Sequence, residues 1–242
     1  YQIDDDLLGL FAEDPAGPAR RQIVETFLHE ADGVIVSTPA LRARYAPHNG
    51  QIRVVANALD EQLLVRSRPP RHDPDSLVLG YMGTLTHDAD LLLLLPALEA
   101  LVRATARPLR LEIVGGAARP ETLARLAELP FPVRQLTPPA PEYPQFLPWF
   151  TGSPGWDIAL APLADTPFNR AKSDIKFLDY AGLGAPAVYS DLPVYSQSVR
   201  HGETGLLAAN TAESWAAALV RLIDEPALGR ESDDSTNAPS DS

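Results

Sequence analysis

Residues 157–190 constrain the fold of this chain more than any other stretch. Asp157-Ile158-Ala159-Leu160-Ala161-Pro162-Leu163 is a short apolar run that Pro162 helps to end, the pattern of a buried strand. Further on, Ile175, Leu178, Tyr180, Ala181 and Leu183 recur near helical spacing. Gly184 and Pro186 then stop the helix, because glycine accepts a left-handed cap and proline cannot continue a helix. Ala187-Val188-Tyr189 opens another buried strand. A strand, a helix and a strand this close predict one parallel crossover unit.

The remainder repeats the alternation. Residues 20–31 read as an amphipathic helix through Ile23, Val24, Phe27 and Leu28, and 31–38 as a turn and a buried strand. Thr38-Pro39 starts a helix, with Thr38 as cap. Residues 52–60 form a strand ending in Asn57-Ala58-Leu59-Asp60, where Asn57 and Asp60 read as turn-formers. Strands follow at 77–84, 109–116 and 133–136, and a short return strand at 203–208. Helices are expected at 89–103, 120–129, 143–150 and 211–224. Phe146, Trp149 and Phe150 are expected in the core. Alternating strands and helices predict an α/β protein with a doubly wound, mostly parallel sheet, in which ligands bind beyond the carboxyl ends of the strands. Thr84, Gly115, Leu136 and residues 165–176 all follow strands and converge on that rim.

The charges in the central unit need a reason. Lys172, Lys176 and Asp179 lie about one helical turn apart. Ser173 is a candidate N-cap, and a helix N-terminus suits a phosphate. Two lysines there oppose the helix dipole, which an anion between them would explain. Asp179, one turn on, is placed to accept hydroxyl hydrogen bonds from a ribose. On spacing alone, a solvated helix face with Lys/Asp pairs is the plainer reading. The run Asp4-Asp5-Asp6 poses a similar choice, between a metal site and a strand end leading into a helix N-cap, with the cap favoured. His87 reads as a residue of a capping loop or as a phosphate or acid–base group. The Gly83-Thr84 turn lacks the G-x-G-x-x-G spacing, so no dinucleotide cofactor is expected.

The block Lys172-Ser173-Asp174-Ile175-Lys176-Phe177-Leu178-Asp179-Tyr180, with Gly184, Pro186 and the Gly202, Gly205-Leu206-Leu207 turn, resembles the donor-binding half of GT-B glycosyltransferases of family 4, the group 1 type. That family carries two acids separated by seven residues here. Asp179 matches the second, and Ala171 stands where the first would fall. The resemblance implies a Rossmann-like C-terminal GT-B domain at 77–225, a partial second α/β domain at 1–60 on the acceptor side, a linker at 61–76 and a disordered acidic tail at 226–242. It implies transfer of a sugar from a nucleotide-diphosphate sugar (UDP- or GDP-linked) to a glycan or lipid-linked acceptor, with retention of configuration, and no required cofactor or metal. The implied donor-binding residues are Gly83, Thr84, Asn169, Lys172, Ser173, Asp174, Lys176 and Asp179; the catalytic candidates are Lys172, Lys176 and His87. The alternative is a non-catalytic or incomplete GT-B module that binds nucleotide-sugar or supports a larger assembly, which the missing first acid favours.

Composition excludes some classes. The formal net charge of −12 disfavours nonspecific nucleic-acid binding, and the absence of cysteine rules out disulfides and thiolate metal sites. No apolar run is long enough to span a bilayer, so a cytoplasmic protein is expected, with peripheral membrane association open only through a part beyond this chain. The chain begins in what reads as mid-strand without Met, as a fragment or an unusually short protein would.

Overall fold

A computed structural model describes residues 1–11, 16–66, 75–84, 87–117, 119–225 and 228. Half of the expected linker (67–74) and nearly all of the expected tail lie outside the described residues.

The first unit is a three-stranded parallel sheet in the order β1-β2-β3. Strand β1 (Gln2–Ile3) leads through helices α1 (Leu7–Leu10) and α2 (Gly17–Glu30) to β2 (Val34–Val36), and helix α3 (Pro39–Tyr45) connects to β3 (Ile52–Val54). Asp6 caps α1 by accepting from the Gly9 amide, and Thr38 caps α3 by accepting from the Leu41 amide. Val24 and Leu28 of α2 enter the core with Ile3, Val36, Leu41 and Tyr45. Ile23 and Phe27, expected on the same face, are exposed, and Phe27 stacks on Tyr1 at 5.3 Å between ring centres. Three short strands present only a narrow apolar strip, so α2 buries one edge of its apolar face. Strand β3 stops at Val54 rather than 60, and Asp60 instead caps a one-turn 3₁₀ helix (Glu61–Leu63).

The second unit is a six-stranded sheet, every pair parallel, in the order β6-β5-β4-β7-β8-β9. In chain order it comprises β4 (Leu77–Gly83), α4 (Asp88–Ala104), β5 (Leu109–Gly115), α5 (Pro120–Ala127), β6 (Val133–Leu136), α6 (Tyr143–Gly152) and β7 (Ile158–Ala161). It continues with α7 (Pro167–Arg170), α8 (Ile175–Leu183), β8 (Ala187–Ser190), α9 (Pro193–Ser196), β9 (Leu206–Ala208) and α10 (Ala212–Asp224). The protein is thus α/β, with a doubly wound Rossmann-like sheet beside a smaller α/β unit. One face of the large sheet packs on α4 and α10 through Leu79, Tyr81, Leu91, Leu94, Trp215 and Leu219. The other packs on α6 and α8 through Phe150, Trp156, Tyr180 and Tyr189, while Phe146 and Trp149 are only partly buried against it. Gly80 lies directly under Trp156: a Cβ there would come within 1.7 Å of the indole, so a side chain in mid-strand is impossible without moving the tryptophan.

Helix α8 departs from its sequence expectation in two ways. Asp174, not Ser173, is its N-cap, and neither side chain bonds to the helix's free amides. The buried face is Lys176, Asp179, Tyr180 and Leu183, whereas Ala181 is exposed. No helix among the described residues is long and apolar enough to cross a membrane.

Candidate functional site

The winding order of the large sheet reverses between β4 and β7, and in parallel sheets of this kind the ligand crevice lies beyond the carboxyl ends of the strands at that point. Gly83-Thr84 and the loop from Pro162 to Asp174 border it. Gly83 ends β4, and the space its missing Cβ would occupy is taken by the Tyr81 hydroxyl, 2.6 Å away. The glycine is therefore required by the folded-back Tyr81 ring, independently of any ligand. The Tyr81 hydroxyl itself is buried without a hydrogen-bond partner among the described residues. Thr84 follows, and its carbonyl accepts from the His87 amide at 3.1 Å.

Lys176 brings a charge beneath this turn. It is only 6% exposed, its ammonium lies 5.8 Å from the centre of the Tyr81 ring, and it makes no hydrogen bond or ion pair with a described residue. Burial pushes its pKa down to about 8, opposed by Asp90 and reinforced by the charge of Lys172. Asp179, 2% exposed, accepts a hydrogen bond from the Tyr143 hydroxyl at 3.1 Å, and burial pushes its carboxyl up to about 6 against the pull of that bond and of Lys176. Both residues face inward, so a solvated helix face does not explain them. Lys172, one turn earlier, lies over the Phe168 ring at 4.6 Å and pairs with Asp5 of the small unit at 3.2 Å.

The other sequence candidates have protein partners. Ser173 accepts from the Asn57 side-chain amide at 2.8 Å, and Asp174 accepts a short hydrogen bond from Ser198. Asn169 donates to Asp90 at 3.2 Å and to the Ala164 carbonyl at 2.9 Å. His87 is buried, with Nδ1 2.5 Å from Asp90 Oδ2. Burial holds His87 below the ordinary imidazole range, Asp90 opposes this, and the charges of Lys176 and Lys172 add to it. His87, Lys172 and Lys176 therefore form one electrostatic group, with Gly83-Thr84 beside it.

Residues not foreseen from sequence complete the surroundings. Asp90 and Tyr143 were read only as helix positions. Asn57 was read as a turn-former, yet it bridges the two units. The three N-terminal acids separate: Asp6 caps α1 and pairs with Arg44, Asp5 pairs with Lys172, and Asp4 receives a long 3.4 Å contact from Asn57. Among the described residues no group of three or more His, Asp or Glu side chains is placed to hold a metal ion. A cavity of about 550 Å³ lies between the units, walled by Asp6, Ala40, Arg44, Phe168, Arg170 and Ala171 among others. His87, Lys176 and Asp179 are not among its walls, so it is distinct from the crevice.

The model of the family described as glycosyl transferases group 1 matches residues 76–225, more than half of the chain. The chain belongs to the group 1 glycosyltransferases. This glycosyltransferase chain is 30% identical over 241 residues to the D-inositol 3-phosphate glycosyltransferase of Rhodococcus erythropolis (strain PR4 / NBRC 100887), covering 90% of this chain and 52% of that protein. The protein of the same name from Rhodococcus opacus (strain B4) is 30% identical over 244 residues, covering 91% of this chain and 52% of that protein. The chain thus spans about half the length of the curated relatives it matches. Among solved structures, Anabaena Alr3699/HepE in complex with UDP and glucose superposes with a TM-score of 0.67 at 16% identity, over 94% of this chain and 62% of that one. TarM superposes with a TM-score of 0.63 at 15% identity, over 95% of this chain and 44% of that one. These likenesses establish the GT-B fold.

Proposed function

We propose that this glycosyltransferase chain binds the diphosphate of a nucleotide-sugar in the β4/β7 crevice and takes part in transfer of the sugar to an acceptor. The observation that carries the reading is Lys176. A buried ammonium without a hydrogen bond to any described residue costs several kcal/mol unless something compensates it, and a diphosphate does so. Lys172 exchanges Asp5 for the phosphate, and both lysines offset charge developing on the leaving diphosphate. Gly83-Thr84 and the start of α8 (Ser173-Asp174) border the same anion. Asn169 shapes the loop beneath it. Asp179 takes the ribose hydroxyls when Tyr143 moves aside. In this reading residues 1–60 are the acceptor-side unit, 61–76 the linker and 77–225 the donor-binding domain.

The solved neighbour named as a complex with UDP and glucose favours a UDP-sugar donor. Family membership favours retention of configuration and chemistry without a resident cofactor. A glycan or lipid-linked glycan is the general acceptor class. The curated relatives' name favours a second reading, a phosphorylated polyol, and the cavity between the units, bordered by Arg44 on one side and Arg170 on the other, suits it.

Calorimetric titration with UDP, GDP and their sugar conjugates tests the donor site. Saturable binding is expected at pH 7, weakened at least about tenfold by Lys172→Ala, the loss of roughly one charge-assisted contact. Lys176 must be charged to hold a phosphate. The contribution of Lys176 to affinity is therefore level below its free value of about 8 and falls above it, and that part of the fall disappears in Lys176→Met. No saturable binding of any nucleotide would sink the reading and leave a module that supports a larger assembly.

A further inference from the structure

Asp90 is 2% exposed, and all its hydrogen bonds are internal. Its Oδ1 accepts from the Ala164 amide at 2.6 Å and from the Asn169 side chain at 3.2 Å, which locks the carboxylate against the loop after β7. Its Oδ2 is left for His87 Nδ1 at 2.5 Å. A carboxylate accepts only, so the ring carries its proton on Nδ1, and Nε2 has no hydrogen-bond partner among the described residues. The charged groups that face the imidazole are Asp90 on its own helix, Lys176 on α8 and Lys172 in the loop before it. Without a ligand the two lysines oppose a positive His87. A diphosphate between them cancels that opposition, and Asp90 then favours the imidazolium.

We propose that Asp90 is a positioning residue that fixes the tautomer of His87, so that on arrival of a diphosphate His87 takes one proton from solvent at Nε2 and donates it in a hydrogen bond to a phosphate oxygen. This rests on the crevice being the nucleotide-sugar site. No covalent bond forms or breaks in this step. The chain gains one proton, and the complex is one unit less negative than the sum of its parts. Affinity falls as pH rises through the window between the free and bound values of His87, a window below that of Lys176.

Asp90→Asn separates position from charge. The amide oxygen still accepts from Ala164 and Asn169, while the amide nitrogen faces His87 and forces the ring proton to Nε2. The probes are UDP-glucose and GDP-mannose, whose phosphates do not titrate near neutrality. Titration of the full chain at pH 7, in buffers of different ionisation enthalpy, is expected to show uptake approaching one proton with whichever probe binds. Uptake should vanish in Asp90→Asn and in His87→Ala while binding stays saturable. Nitrogen shifts of the His87 imidazole should show the Nδ1–H tautomer in the parent and Nε2–H in Asp90→Asn. Saturable binding without proton uptake, or uptake that survives Asp90→Asn, overturns the proposal, as does a parent ring protonated on Nε2. If neither probe binds, the nucleotide reading falls first, and the nitrogen shifts still decide whether Asp90 governs the ring.

Discussion

Asp179 shows what burial does to a residue that spacing left ambiguous. Folding raises its carboxyl from 3.8 to about 6, burial being the main cause. Between those values the folded protein holds a proton that the unfolded chain has released, so stability falls as pH rises through that window. At pH 7 the cost is on the order of 2–3 kcal/mol. Asp179→Asn keeps an acceptor for Tyr143 and removes the charge. It is expected to raise the melting temperature at pH 7 and leave it unchanged near pH 4, while weakening nucleotide binding. Equal melting shifts at both pH values would show that burial of the charge is not the cause. Lys176 belongs to the same class: periodicity could not tell a solvated lysine from a buried one, because both sit one turn from their neighbours.

At the scale of elements, α8 and its cap carry the connection between β7 and β8. Gly184 ends the helix in the left-handed region, at φ 66° and ψ 27°, and its amide returns to the Ala181 and Tyr180 carbonyls. A side chain there meets the following carbonyl oxygen. Gly184→Ala should cost about 1–2 kcal/mol in chemical denaturation without changing nucleotide affinity. A neutral effect would mean that the turn relaxes to another cap. This cap, the β6 bounds and the Thr38 cap of α3 were all legible, since each rests on one or two residues with a strong local preference. The four-residue helices α7 and α9 were not read, because they are too short to show a period, while α1 was read only through its acidic N-cap. The N-cap of α8 was misread by one residue because Ser173 has a better partner, Asn57, far away in sequence.

At the scale of the molecule, the two units are fastened at the loop where the family's first acid would fall. The Thr38 hydroxyl donates to the Ala171 carbonyl at 2.8 Å, Asn57 donates to Ser173, and Asp5 pairs with Lys172. The Ala171 methyl lies within the small unit's core beside residues such as Leu41 and Tyr45. Ala171→Glu would match the family pattern but place a carboxylate in that core. It is expected to destabilise the protein by at least about 2 kcal/mol, read as a lower melting temperature. Unchanged stability would mean that the loop swings free of the small unit.

The sequence by itself determined the alternation of strands and helices, the doubly wound class, the family and the crevice rim, because periodicity, caps and a short motif are local properties. It also held one unused signal, the three-residue spacing of His87 and Asp90. Only the tertiary structure decided which charges are buried, that Asp5 and Asn57 reach across from the other unit, and that Ala171 is a core residue. These depend on burial and on contacts between residues more than a hundred positions apart, such as Asn57 with Ser173 and Asp5 with Lys172. Neither spacing nor local preference along the chain encodes them.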